Sequence, residues 1–205
     1  MTMNKIFYIL PILALLFCAC QESDEAGEYD NWPSRNQHYV DSIAALADAG
    51  TDGWTKMIAF DLISTDERPD LNTNHYIYVK KLEAGTGDRK PEFNDSIRIH
   101  YLGRFIPTMS YPEGRVFGKS YTNSTPNEAI DVPALMAVNA NVTGIATAVM
   151  NMVEGDKWKI VVPSYLGYGS AGYTSASVPG STTLIFDVKL ARIYKYKIDK
   201  DTTWH

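Results

Sequence analysis

The sequence predicts an α+β domain: one twisted antiparallel sheet wrapped over a single short helix, with a small helical extension in front. Two patterns carry this. Three segments alternate apolar and polar residues at the period of a half-buried strand: "SIRIHYLGRF" sets Ile97, Ile99 and Tyr101 against Arg98 and His100, "KWKIVV" sets Trp158, Ile160 and Val162 against Lys157 and Lys159, and "TLIFDVKLARI" sets Leu184, Phe186, Val188 and Leu190 against Asp187 and Lys189. Between the first and second of these, Ile145, Ala148, Val149 and Met152 fall at i, i+3, i+4 and i+7, one apolar helical stripe. A lone amphipathic helix among antiparallel strands is an α+β arrangement.

Taken in order, the chain begins outside the fold. Lys5 precedes the apolar run "IFYILPILALLF", which has the length of a signal peptide and is short for a bilayer span. The run stops at "FCAC", which resembles a bacterial lipobox: residues 1–19 would be the signal and Cys20 the lipidated first residue of the mature chain. Cys18 then leaves with the signal and Cys20 carries lipid. No thiol remains for disulfides, zinc-thiolate sites or cysteine catalysis. Glu22, Asp24, Glu25, Glu28 and Asp30 make residues 20–33 an acidic tether. The run also resembles the acidic export signal of surface lipoproteins in Bacteroides-like bacteria. The expected location is the outer membrane, periplasmic or cell-surface facing, held through the lipid anchor.

Residues 34–70 are expected to be the helical extension. Tyr39, Ile43, Leu46 and Ala47 have helical spacing and Gly50 marks a stop. "WTKMIAFDLI" reads as a second short helix or a strand, and "STDERPDLNTN" as a loop. The main domain occupies 75–194. Its helix is expected near 142–153, capped by Asn141 or Thr143 and ended by Gly155.

Composition limits the chemistry. A formal net charge of -5 without a lysine- and arginine-rich block argues against a nucleic-acid partner. His38, His75, His100 and His205 lack ligand spacing, and "GTG" at 85–87 lacks the lysine and serine of a phosphate loop. Neither a metal nor a cofactor is expected.

The segment "GIATAVMNMVEGDKWKIVVPSYLGYGSAGYTSASVPGSTTLIFDVKL" resembles the C-terminal half of FKBP-type peptidyl-prolyl isomerases, and "YVKKLEAGTGDRKPEFNDSIRIHYLGRF" is similar to their upstream strands. The resemblance covers about 120 residues and implies a proline-binding pocket between sheet and helix. Its residues here would be Tyr101, Phe117, Ile130, Val142, Ile145, Tyr168 and Phe186, with Tyr173 and Val178 at the rim. Tyr168 would offer its hydroxyl, and Val142 its backbone N–H, to substrate carbonyls. The expected partners are proline-containing peptides or unfolded envelope proteins. Gly118 follows Phe117 where the family carries an aspartate, and Ile145 replaces a tryptophan at the pocket floor. Both departures imply reduced activity. The alternative is a non-catalytic FKBP-like binding module of an envelope lipoprotein complex.

Overall fold

The computed structural model describes residues 27–63, 70–123, 127 and 130–196. The signal-like run, both cysteines and the first half of the acidic stretch lie outside them.

Helix α1 spans Trp32–Asp48, with Pro33 in its first turn, where the missing N–H is harmless. Its buried stripe is Trp32, Asn36, Val40, Ile43 and Ala44, flanked by the half-buried Tyr39, Leu46 and Ala47. The "WTKMIAFDLI" segment divides. Strand β1 covers Trp54–Ile58, and Phe60–Leu62 form one tight helical turn. The extension is thus woven into the sheet, because β1 pairs antiparallel with β2 (Tyr76–Glu83).

Five further strands follow: β3 (Ser96–Arg104), β4 (Val116–Lys119), β5 (Ala134–Ala137), β6 (Lys157–Val162) and β7 (Leu184–Tyr194). The sheet order is β1-β2-β6-β7-β3-β4, and β5 takes the other half of the outer edge of β3. In β7, Arg192 faces Arg98 but Leu190 faces Ile99, so Ala191 bulges out. The extra residue shifts the alternation by one, which lets Leu190 and Ile193 both turn inward.

Register separates the two faces. Val79, Ile160, Phe186 and Gly103 form a row on one side; Tyr78, Val161, Ile185 and Arg104 form a row on the other. Helix α2 (Thr143–Val149) lies on the first side, where Gly144 meets the Val162 side chain. Helix α1 covers the second side. It is held there by the Trp32 indole N–H on Thr182 Oγ1 at 2.8 Å and by the Thr183 N–H donating to Asn36 Oδ1 at 2.7 Å.

Two expectations for α2 need correction. The helix is shorter than 142–153, because after Val149 the chain tightens into turns, with Asn151 N–H on Ala148 C=O and Met152 N–H on Val149 C=O. It also has no side-chain cap, since the Asn141 amide reaches back to Ala137 instead. Nor is it merely striped. Gly144 through Val149 are all buried, because the Phe60–Leu62 turn covers the outer side, with Phe60 N–H donating to Thr147 Oγ1 at 3.1 Å.

Candidate active site

The site starts from a glycine. Gly103 sits next to the end of β3, opposite Phe186 on β7. A Cβ there would fall 2.6 Å from the Phe117 ring and 3.0 Å from that of Phe186. Its absence lets Phe117, on β4, close edge-to-face against Phe186 with ring centroids 5.5 Å apart, while Phe105 stacks behind Phe117 at 5.4 Å. Two residues earlier on the same face, Tyr101 extends the wall opposite Val188. Ile145, buried on α2, closes the floor, and Val142 stands at the helix start.

The loop between β6 and β7 forms the mouth, and backbone hydrogen bonds tie it down. Gly169 N–H donates to Ser164 C=O at 2.8 Å, Gly172 N–H to Tyr168 C=O at 3.1 Å, and Ser181 N–H to Gly169 C=O at 2.8 Å. Tyr173 and Val178 exchange both backbone bonds, at 2.9 and 3.0 Å. Gly172 is required where it stands: φ is +72° and a Cβ would lie 2.3 Å from Val178 O. The pinned loop stacks Tyr168 on Tyr173, centroids 4.8 Å apart and rings 14° from parallel.

The result is a cavity of about 420 Å³. It brings together Tyr101, Phe117, Val142, Ile145, Tyr168, Tyr173 and Phe186 of the residues singled out from sequence. Two of those residues are elsewhere. Ile130 is 68% exposed in a turn closed by its N–H on Asn127 C=O, upstream of the strand that reaches the cavity; β5 presents Met136 there instead. Val178 is buried and holds Tyr173 in place from behind rather than lining the rim. Sequence reasoning gave Gly103, Met136 and Asn141 no place in the site. A glycine inside a nine-residue strand was the available signal for the first.

Among the described residues that line the cavity none is charged, and those with polar side chains are Tyr101, Tyr168, Tyr173 and Asn141. Burial raises the Tyr168 pKa, and the neighbouring Tyr173 and Tyr101 add to the effect, so the hydroxyl keeps its proton and can donate. Gly118 borders the cavity, and a Cβ there would meet the Tyr101 ring and hydroxyl at 3.5 Å, an ordinary contact. A walled apolar hole with neutral donors at its mouth suits capture of a compact apolar ring and hydrogen bonding to adjacent carbonyls. Among the described residues that line it there is no nucleophile–base pair.

Residues 87–191 match the family model of FKBP-type peptidyl-prolyl cis-trans isomerase. The chain is 34% identical over 103 residues to the FKBP-type 22 kDa peptidyl-prolyl cis-trans isomerase of Escherichia coli K12, covering 50% of this chain and 43% of that protein. It is 32% identical over 117 residues to the macrophage infectivity potentiator of Trypanosoma cruzi, covering 57% and 53% respectively. The chain spans about half the length, or less, of these curated relatives. Among solved structures, its fold is similar to that of a peptidyl-prolyl cis-trans isomerase from Pseudomonas syringae, with a TM-score of 0.55 and 23% identity over 79% of this chain and 96% of that one.

Proposed function

The chain belongs to the FKBP-type peptidyl-prolyl cis-trans isomerase family, and from that premise we propose that it rotates Xaa-Pro peptide bonds in proteins. The observation that carries the reading is the convergence of Tyr101, Phe117, Ile145, Tyr168 and Phe186 on one uncharged cavity. Rotation about an amide has a barrier of about 18–20 kcal/mol, maintained by resonance between nitrogen and carbonyl. The planar amide is the more polar form, so an apolar, water-poor cavity disfavours it relative to the twisted one. The proline ring would seat against Phe186, Phe117 and Ile145. Tyr168 O–H and Val142 N–H would hold the flanking carbonyls while the bond turns. Val142 N–H is unused by the protein among the described residues, which suits that role.

The same proposal includes anchoring. "LLFCACQ" supports cleavage before Cys20 and its lipidation, with the acidic residues that follow spacing the domain from an outer membrane in a Bacteroides-like cell. The substrates would be proline-containing segments of unfolded envelope proteins. Replacing Cys20 with alanine is expected to release the protein from the membrane fraction and abolish fatty-acid labelling; retention of both rejects the anchor. A protease-free isomerisation assay on Xaa-Pro peptides tests the activity.

A further inference from the structure

Among the described residues that line the cavity, Asn141 alone carries a side-chain amide. Its Nδ2 donates to Ala137 C=O at 2.7 Å and, more weakly, to Val138 C=O at 3.4 Å. These bonds fix the orientation of the group: with the nitrogen turned back onto the tight turn Val138–Ala140, the oxygen is turned away from it. Among the described residues nothing donates to that oxygen. The next residue, Val142, carries an N–H that also has no partner. A half-buried acceptor and a half-buried donor therefore stand on consecutive residues at the cavity edge, both unspent. Unspent polar groups at a half-buried position lose solvation when a ligand covers them, so each needs a partner in the occupied state. Peptide main chain supplies both kinds.

We propose that Asn141 Oδ1 accepts a backbone N–H from the residue adjoining the substrate proline, so that Asn141 is a specificity and positioning residue for main-chain recognition. The assignment rests on the isomerase reading above. Proline has no N–H, so the bonded group belongs to the residue before or after it. The site would then discriminate against substrates that lack that N–H, a second proline being the natural case.

The test uses the full chain, detergent-solubilised, and three peptides: an Xaa-Pro-Yaa parent, and two analogues in which an ester oxygen replaces the N–H of Xaa or of Yaa. Wild type is expected to lose about threefold to tenfold in kcat/KM on one ester analogue, the value of one neutral hydrogen bond. Asn141→Ala should lose a similar factor on the parent and show no further loss on that analogue. Equal ester penalties in wild type and Asn141→Ala, with turnover intact, overturn the assignment and leave the isomerase reading standing. Absence of turnover by wild type on all three peptides overturns the isomerase reading and this inference with it. A merely structural role for Asn141 would lower all peptides alike, so a loss without coupling to the ester also counts against it.

Discussion

Tyr168 connects the loop to the chemistry. It is half-buried, stacked on Tyr173, and its raised pKa keeps the hydroxyl a donor. Tyr168→Phe is expected to lower kcat/KM by about threefold to tenfold, the loss of one hydrogen bond that strengthens in the transition state. Because no carboxylate, histidine or lysine is among the described residues that line the cavity, and the tyrosine titrates above its ordinary value of about 10, kcat/KM should be flat between about pH 6 and 9. A bell-shaped profile would place an ionising group in the mechanism that the cavity does not contain. Ile145→Trp is expected to raise kcat/KM, because an indole gives the floor an aromatic face for the proline ring to pack on, while reducing stability by about 1–3 kcal/mol through overpacking around the buried Ile145. At this scale the sequence was partly legible. Tyr168 stood out between two glycines, and Phe186 and Tyr101 fell on the inward phase of their strands. Ile130 and Val178 did not follow, because family spacing carries no information about how an altered segment between β4 and β5 is routed, or about which side of a loop faces in. Within the loop, Gly169 takes a positive φ of +61°, and Gly172 and Gly180 permit close backbone approach.

Buried polar side chains join elements alongside the apolar core they share. Asn36, 2% exposed, donates to Trp32 C=O and accepts from Thr183 N–H, fastening α1 to the start of β7. Asn36→Leu should reduce unfolding free energy by about 1–3 kcal/mol, since Thr183 N–H is left buried and unpaired; urea denaturation measures it. Asp95 joins the start of β3 to the end of β7, accepting Tyr196 N–H at 2.7 Å and Glu92 N–H at 3.0 Å, with Arg89 at 3.3 Å. Burial works against its charge, yet those N–H groups and the guanidinium together hold its pKa below the usual carboxylate value. A carboxyl whose folded pKa is depressed contributes stability that is present above the unfolded value, about 3.9, and is lost as pH falls through the folded one. Asp95→Asn should therefore destabilise by about 1–3 kcal/mol at pH 7, and the difference should shrink as pH drops from about 4 toward 2. A difference constant with pH contradicts the charge-based account. The main strands and the helix were legible from period alone. The end of α2 and the bulge at Ala191 were not, because both are set by packing partners distant in sequence.

For the whole molecule, the sheet closes around α2 on one face and α1 on the other, so the extension is part of one core. Periodicity made the α+β class readable, and the family resemblance the pocket. The participation of β1 was not, since "WTKMIAFDLI" has no period that separates strand from helix and its pairing with β2 is a tertiary choice. The central claim is that an uncharged aromatic cavity on this sheet turns Xaa-Pro bonds. NMR exchange spectroscopy on a proline peptide tests it most directly, because the cis and trans resonances report interconversion without a coupled protease. At catalytic amounts of the chain, the exchange rate should exceed the uncatalysed rate of tens to hundreds of seconds per event, and Tyr168→Phe should slow it about threefold to tenfold. Exchange unchanged from the free peptide, in a sample whose peptide resonances shift on binding, would contradict catalysis and leave a pocket that binds proline without turning it.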